Sequence, residues 1–590
     1  MYCYSISSPA GATIAYHEKT SIYTKETREG MPKIPSFGIL PLIKTQQASH
    51  LRKLRMTIVK KQSTKTSSPL SPSFLSALAS KASHFIHSSI SNVISPPIQP
   101  WVDPDQVLTG NFAPVEEMGP TECPVVEGQL PPSLNGTAYL RNGSNPQLRP
   151  RRALQYFEAD GMIHSLHFSS DGRAIYSSRY VETYKYKIER KNGAATIPNF
   201  MAGFYGLIDV ARFFGLLGQI LRGRLSVMEG FGGANTSVAF FGKKLMALCE
   251  SDLPYIITLT EDGDIKTLKR WDFDRRVMAN MTAHPKFDED TKEAFAFRYN
   301  MFCPFLTFFR FDENGVKHED VNITSLKQPC LIHDFAITKR FVVFDETQLV
   351  FSVAKMMLGR GSIVDHNPKK IPRIGVLPRY ATNDSDLKWF YVPGFNGFHL
   401  VNAWENEEDE IEILGTNVLS LGNILVKRVT TSLDKVTINM QTGEISRKVL
   451  SPRNLEFGAI NSSYAGKRNR YAYFAVMEEV PKTSGVVKID LETGREVGIR
   501  FYGVGSFGGE PLFVRKDAEN GASPVDEDDG YVISYVHNEN TEESRFLVMD
   551  AKSPELEIVA AIKMPRRVPY GFHGLFLSKE ELSNIRVHTP

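Results

Sequence analysis

From about residue 103 onward the sequence predicts an all-β protein, and one built as a large closed structure. Three observations carry this expectation. Short runs rich in aromatic and β-branched residues recur along the chain, among them Ala472-Tyr473-Phe474-Ala475-Val476 and Tyr531-Val532-Ile533-Ser534-Tyr535-Val536. Turn signals separate such runs: Ser170-Asp171-Gly172, Glu261-Asp262-Gly263-Asp264, Glu313-Asn314-Gly315, Gln441-Thr442-Gly443, Glu492-Thr493-Gly494 and Asp528-Asp529-Gly530. Their glycines supply the positive φ that tight hairpins need. Finally, no clean period of about 40 residues marks the chain as a string of modules. Many antiparallel hairpins in one long, non-modular chain favour closure, because closure removes exposed strand edges.

Residues 1–100 are set apart from this body. Through Val102 the chain carries 12 Lys/Arg against three acids, Glu18, Glu26 and Glu29, and from Met31 to Val102 there is no Asp or Glu at all. An acid-poor, Ser-rich, basic stretch is the composition of an organelle transit peptide, with a disordered basic tail as the alternative. Its later part, Ser73 to Ile94, is amphipathic: Phe74, Leu75, Leu78, Ala82, Phe85, Ile86, Ile90 and Val93 recur at spacings of three and four. A second amphipathic segment, Phe204 to Leu221, is denser in apolar residues and is followed by Arg222 and Arg224. Both are too short or too polar for a comfortable transmembrane span and read as helices lying in a membrane surface, or packed on the body.

Composition narrows the partners. Apolar residues at 42% and charged residues at 23% describe a globular protein with ample core. The body beyond residue 102 is net acidic, which argues against nucleic acid. The five cysteines, Cys3, Cys123, Cys249, Cys303 and Cys330, are odd in number and lack C-x-x-C spacing, as expected of free thiols.

Four histidines stand in short apolar or aromatic phrases: His284 in Met-Thr-Ala-His-Pro-Lys, His333 in Leu-Ile-His-Asp-Phe-Ala, His399 in Gly-Phe-His-Leu-Val-Asn-Ala-Trp-Glu, and His573 in Val-Pro-Tyr-Gly-Phe-His-Gly. Neutral imidazole binds Fe, Zn, Cu or Ni, and the apolar flanks predict that all four are buried. Separations of 49, 66 and 174 residues are too wide for a zinc finger. They suit successive sheets that each bring one ligand to a common axis.

Taken together, the four phrases resemble, in order and spacing, the iron-ligand motifs of the carotenoid cleavage dioxygenases. The resemblance covers roughly residues 103–580. It implies a carotenoid oxygenase domain over residues 101–590, folded as a seven-bladed β-propeller with an α-helical cap to which the amphipathic segments belong. It implies one Fe(2+) per chain on His284, His333, His399 and His573. Glu250, Glu456 and Glu510 match the family's carboxylates that hold ligand rings, in pairs Glu250–His333, Glu456–His399 and Glu510–His573, leaving His284 without an acid. Phe157, Phe398 and Phe572 match aromatics that line the substrate tunnel, with core packing as the alternative. His164, in Phe-Glu-Ala-Asp-Gly-Met-Ile-His, is not a family ligand, and Glu405 is read as structural.

Ser144 stands where many relatives have proline, and Phe-Gly follows Glu456 where the epoxycarotenoid-cleaving branch tends to have Ala-Gly. The stretch from Ala551 to Ala561 looks most like the plastid carotenoid cleavage dioxygenase 4 branch. The resemblance thus implies a plastid, membrane- or lipid-droplet-surface dioxygenase that uses O2 to split a carotenoid or apocarotenoid double bond into two carbonyls. The branch points to the 9,10 and 9′,10′ bonds, with 7,8 or epoxycarotenoid 11,12 cleavage as alternatives. A metal-free propeller that only binds apocarotenoids is the rival.

Overall fold

Antiparallel meanders, most of their strands four to nine residues long, dominate the computed structural model. Residues 98–300, 302–423, 429–478, 481–516 and 526–587 are described; the expected leader and the Ser73–Ile94 segment lie outside them. Ile98, Trp101 and Val102 already pack with Ala153, Ala202 and Tyr205, so the body includes the residues just before 103.

Four of the predicted turns join the neighbouring strands of a hairpin, and a fifth, around Gly315, turns the chain after Leu306–Phe311. Gly172, Gly263, Gly315, Gly443 and Gly494 take φ between +71° and +88°. Asp528-Asp529-Gly530 is the exception. The strand before it ends at Arg515, so the connection is long and Gly530 begins the next strand.

Five sheets of four or five strands and one of ten form the body. The ten-stranded sheet contains two successive meanders, Leu455–Phe501 and Leu512–Lys563, stitched together by Ser506–Gly508, which pairs with both. Along the chain this makes seven meanders, and the hydrophobic cores lie between consecutive ones. Leu140 and Ile163 of the first share a core with Leu245 and Ile257 of the second. Met246 packs with Phe309, and Phe308 with Phe344. Val343 packs with Ile413, Leu414 with Phe474, and Tyr473 with Val532. The last core returns to the start, where Ile533, Phe546 and Ile562 meet Tyr139, Leu166 and Tyr176. The sheets therefore close into a ring.

Both chain ends seal it. The late strand Gly574–Leu577 pairs with Thr137–Ser144 of the first sheet, while the early strand Val125–Gly128 pairs with Ile558–Lys563 of the last. Sealing removes the open edges that a linear array of sheets would present.

Two insertions, residues 181–236 and 347–372, leave the ring. They carry the helices Tyr184–Asn192, Leu207–Leu221 and Val353–Met357 and two short two-stranded sheets. The second amphipathic segment is shorter as a helix than expected. Phe204–Tyr205 pairs instead with Arg360–Gly361, and Gly206, at φ +80°, turns the chain into the helix at Leu207. Among the described residues, no helix is long and apolar enough to cross a membrane.

Candidate metal centre

Each of the four histidines lies at the head of an end strand of its four- or five-stranded sheet. His284 is two residues before Lys286–Phe287, His333 two before Phe335–Ile337, His573 one before Gly574–Leu577, and His399 is the third residue of Gly397–Glu405. These leading strands are neighbours: Lys286–Phe287 lies by Phe335–Ile337, which lies by Gly397–Glu405. Side chains from the same end of such strands meet. One donor nitrogen from each histidine falls within 4.8 Å of every other, and His333 Nε2 is 3.2 Å from His399 Nε2. Donors about 2.1 Å from one ion stand ~3 Å apart when adjacent and ~4.2 Å when opposite, so the group has the size of a metal site.

Burial differs from the expectation. Only His399 is buried; the other three are part-exposed, because rings that converge without interpenetrating leave faces uncovered.

Carboxylates hold three of the rings. Glu250 pairs with His333 Nδ1, Glu456 Oε2 lies 2.5 Å from His399 Nδ1, and Glu510 Oε1 lies 2.7 Å from His573 Nδ1. Glu456 and Glu510 accept from Nδ1–H and so leave the Nε2 lone pairs of His399 and His573 free, while Glu250 stands against His333 Nδ1 as a charge partner. Glu456 is itself fixed, accepting from Thr416 Oγ1 at 2.5 Å and from Phe457 N–H at 2.7 Å. Glu510 also accepts from Gly574 N–H at 2.7 Å. Burial opposes charge on His333, but Glu250 overrides it and raises the imidazole above its ordinary value. Burial likewise works against the Glu456 carboxylate, and His399 beside it brings the net shift below the usual range.

Among the described residues, no acid touches His284. Its Nε2 is covered and has no hydrogen-bond partner, and burial, reinforced by the neighbouring imidazoles, holds the ring well below its ordinary pKa. A neutral imidazole with an orphaned buried nitrogen, facing lone pairs that carboxylates have fixed, is what a cation-binding site requires.

The aromatic residues flank this centre. Phe398 stacks on His333 with ring centroids 4.1 Å apart. Phe157 and Phe572 stack on each other at 5.2 Å, within a cluster containing Phe112, Leu154 and Tyr156. Phe398 also belongs to an apolar cluster with Met201, Leu349 and Val364, which the two insertions supply. His164 is elsewhere, its Nδ1 2.8 Å from Tyr176 Oη. Glu405 caps a turn, accepting from Thr338 Oγ1 and the Lys339 and Arg340 amides.

Sequence reasoning missed three groups. Phe457 sits against His399 and His573, its backbone at φ +52° on a bulged strand. Its only signal was the Phe-Gly pair after Glu456. Tyr299 donates its hydroxyl proton to the Ile332 carbonyl, next to His333. Lys286 and Asp334, close in sequence to ligand histidines, form an ion pair. Cys123, Cys249, Cys303 and Cys330 are free thiols.

A closed β ring carrying a four-imidazole centre on its leading strands is the class that fold and site define. The chain belongs to the RPE65 family (retinal pigment epithelial membrane protein), which matches residues 112–578, and its curated relatives are carotenoid cleavage dioxygenases. It is 48% identical to the probable carotenoid cleavage dioxygenase 4, chloroplastic, of Arabidopsis thaliana, over 84% of each chain. It is also 48% identical to the 9-cis-epoxycarotenoid dioxygenase NCED1, chloroplastic, of Oryza sativa subsp. japonica, over 84% of this chain and 79% of that one. In fold it is similar to a solved variant of the Synechocystis apocarotenoid oxygenase, with a TM-score of 0.68 and 24% identity over 81% of this chain and 100% of that one.

Proposed function

We propose that the protein is an Fe(II)-dependent dioxygenase that splits one conjugated double bond of a carotenoid or apocarotenoid into two carbonyl products. The observation that carries this reading is the convergence of four imidazoles, three of them held by carboxylates, with no carboxylate among the donors. Four neutral nitrogens leave two places open on an octahedral ion, which suits iron and O2 better than zinc, usually closed at four ligands. Bound iron, one per chain on His284, His333, His399 and His573, would supply the activation of O2. Glu250, Glu456 and Glu510 would orient His333, His399 and His573 and hold the proton on each Nδ1. Phe398, beside His333, and the Phe157–Phe572 pair would wall an apolar path that sets which double bond lies at the metal. The polyene supplies the electrons, so no acid, base or reductant from the chain is needed. We read the seven meanders as propeller blades and the insertions as the cap over the metal side.

Branch resemblance favours the 9,10 and 9′,10′ bonds. The second reading is 7,8 cleavage or 11,12 cleavage of an epoxycarotenoid; the latter is kept by the equal identity to the rice epoxycarotenoid enzyme. Plastid residence is supported by the acid-poor, basic leader and by the chloroplastic names of both relatives. Peripheral membrane or lipid-droplet contact is supported by the Leu207–Leu221 helix, where Leu207, Phe214 and Leu221 are 74%, 58% and 87% exposed on one stripe.

The test is incubation of iron-loaded protein, in detergent and air, with a panel of carotenoids and apocarotenoids, followed by mass analysis of products. Paired aldehydes or ketones whose lengths report one bond are expected. Recovery of intact polyene from protein that holds iron and carotenoid would replace the enzyme with a binding protein.

A further inference from the structure

We infer that Lys286 and Asp334 form a brace that sets the relative positions of three metal ligands and takes the place of the carboxylate that His284 lacks. The inference rests on reading the four histidines as a metal site. Lys286 Nζ lies 2.8 Å from Asp334 Oδ1. Asp334 is the residue after His333, and Lys286 is two after His284. The other carboxylate oxygen, Asp334 Oδ2, accepts from the backbone N–H of Leu400 at 3.0 Å, and Leu400 is the residue after His399. The ammonium closes the triangle by reaching the Leu400 carbonyl at 3.4 Å. One ion pair thus ties together the three leading strands that present His284, His333 and His399.

The local backbone is shaped for this contact. The strand Gly397–Glu405 slips register on both sides of Leu400, and the Leu400 amide points to Asp334. Asp334 Oδ1 also accepts from the Phe335 amide at 2.8 Å, which pins the carboxylate to its own strand. Asp334 is buried, its side chain 4% exposed, whereas Lys286 is 25% exposed. A buried carboxylate with three polar partners has one geometry, so the brace is stiff. Each histidine lies one or two residues from a tied atom, too close for the backbone to absorb much displacement.

Among the four ligands, His284 gains most. The other three are aimed by Glu250, Glu456 and Glu510; His284 has no acid on its ring, and its strand is two residues long. Among the described residues, its ring leans only on the other three imidazoles, and Lys286 anchors the backbone that carries it. Lys286 and Asp334 are therefore positioning residues.

Co(II) is the probe, because its visible bands report ligand geometry independently of turnover. The experiment compares full-length wild type, Lys286→Met, Lys286→Arg, Asp334→Asn and the Lys286→Met/Asp334→Asn double variant, titrated with Co(II) and followed by thermal melting. Lys286→Met is expected to bind Co(II) about tenfold or more weakly, with shifted bands, as when a group orienting a ligand is lost. Lys286→Arg should recover most of the affinity and the wild-type bands, and the double variant should be little worse than Lys286→Met because both changes break one contact. Asp334→Asn can keep the Leu400 bond while it removes the charge that pairs with Lys286, and should weaken Co(II) binding about as much as Lys286→Met. Lower melting temperatures with unchanged Co(II) affinity and bands would overturn the brace, leaving an ordinary structural ion pair. Additive losses in the double variant would overturn it too. Failure of wild type to take up one Co(II), or uptake that survives His333→Ala, would sink the metal-site reading itself and the brace with it.

Discussion

Glu456 and Glu510 hold their histidines in similar ways but differ in what else they must satisfy. Glu456 Oε1 accepts a hydrogen bond from the Thr416 hydroxyl, which can rotate to accept instead; Glu510 Oε2 accepts one from the Gly574 amide, which cannot. Glu456→Gln should therefore fold, lose about 10–100-fold in metal affinity, and regain turnover with excess Fe(II). Glu510→Gln should lose more, because its amide either faces the Gly574 N–H or turns a donor toward His573. Equal metal affinities in the two variants, measured by titration, would show that charge alone matters.

Glu158, next to Phe157, offers a second residue-scale test. Its oxygens accept the Met201 and Ala202 amides at 2.6 Å each, fastening the loop that carries Met201 to the apolar cluster beside Phe398. Burial pushes its carboxyl from 4.5 up to about 7, against the pull of those amides. Because the folded value lies above the unfolded one, the stability contributed by the protonated acid is complete below pH 4.5 and lost as pH rises through 7. Relative to Glu158→Gln, wild type should lose roughly 3 kcal/mol at most across that window. Denaturant melts of both proteins at several pH values check this, and a pH-independent difference would contradict it.

At the scale of elements, the Leu207–Leu221 helix separates inward from outward residues more sharply than its sequence did. Leu216 is buried and Phe213 packs on Phe200 and Phe204, whereas Leu207, Phe214 and Leu221 point away. Replacing those three with serine should sharply reduce flotation with liposomes while leaving the melt unchanged, since each inserted side chain contributes up to about 1.5–3 kcal/mol. Replacing Phe213 and Leu216 should instead lower the melting temperature. Unchanged flotation in the first variant would place membrane contact elsewhere. This contrast shows what was legible in the sequence. Hairpins were, because Gly172, Gly263, Gly443 and Gly494 announce their turns locally. The helix was legible as amphipathic but not as to which apolar residues face in, which the strand pairing of Phe204–Tyr205 decides. Site pairs lie 57 and 63 residues apart for Glu456–His399 and Glu510–His573, and no local pattern encodes them. They were reached only through family resemblance, and Lys286–Asp334, which lacked even that, was missed.

For the whole molecule, the decisive property is that four separate sheets are held so that one side chain from each meets the others. Seven shared cores and strands exchanged between the two chain ends make the ring rigid, and rigidity lets ligands spread over 290 residues act as one site. His164, buried in the first sheet against Tyr176, lies outside that set and serves as the internal control. The central measurement is iron per chain, by elemental analysis, in wild type, in the four single His→Ala variants at 284, 333, 399 and 573, and in His164→Ala. One iron per chain in wild type and His164→Ala, with loss from all four of the others, is the predicted result. Iron lost from His164→Ala and retained in His333→Ala would contradict the account at its centre.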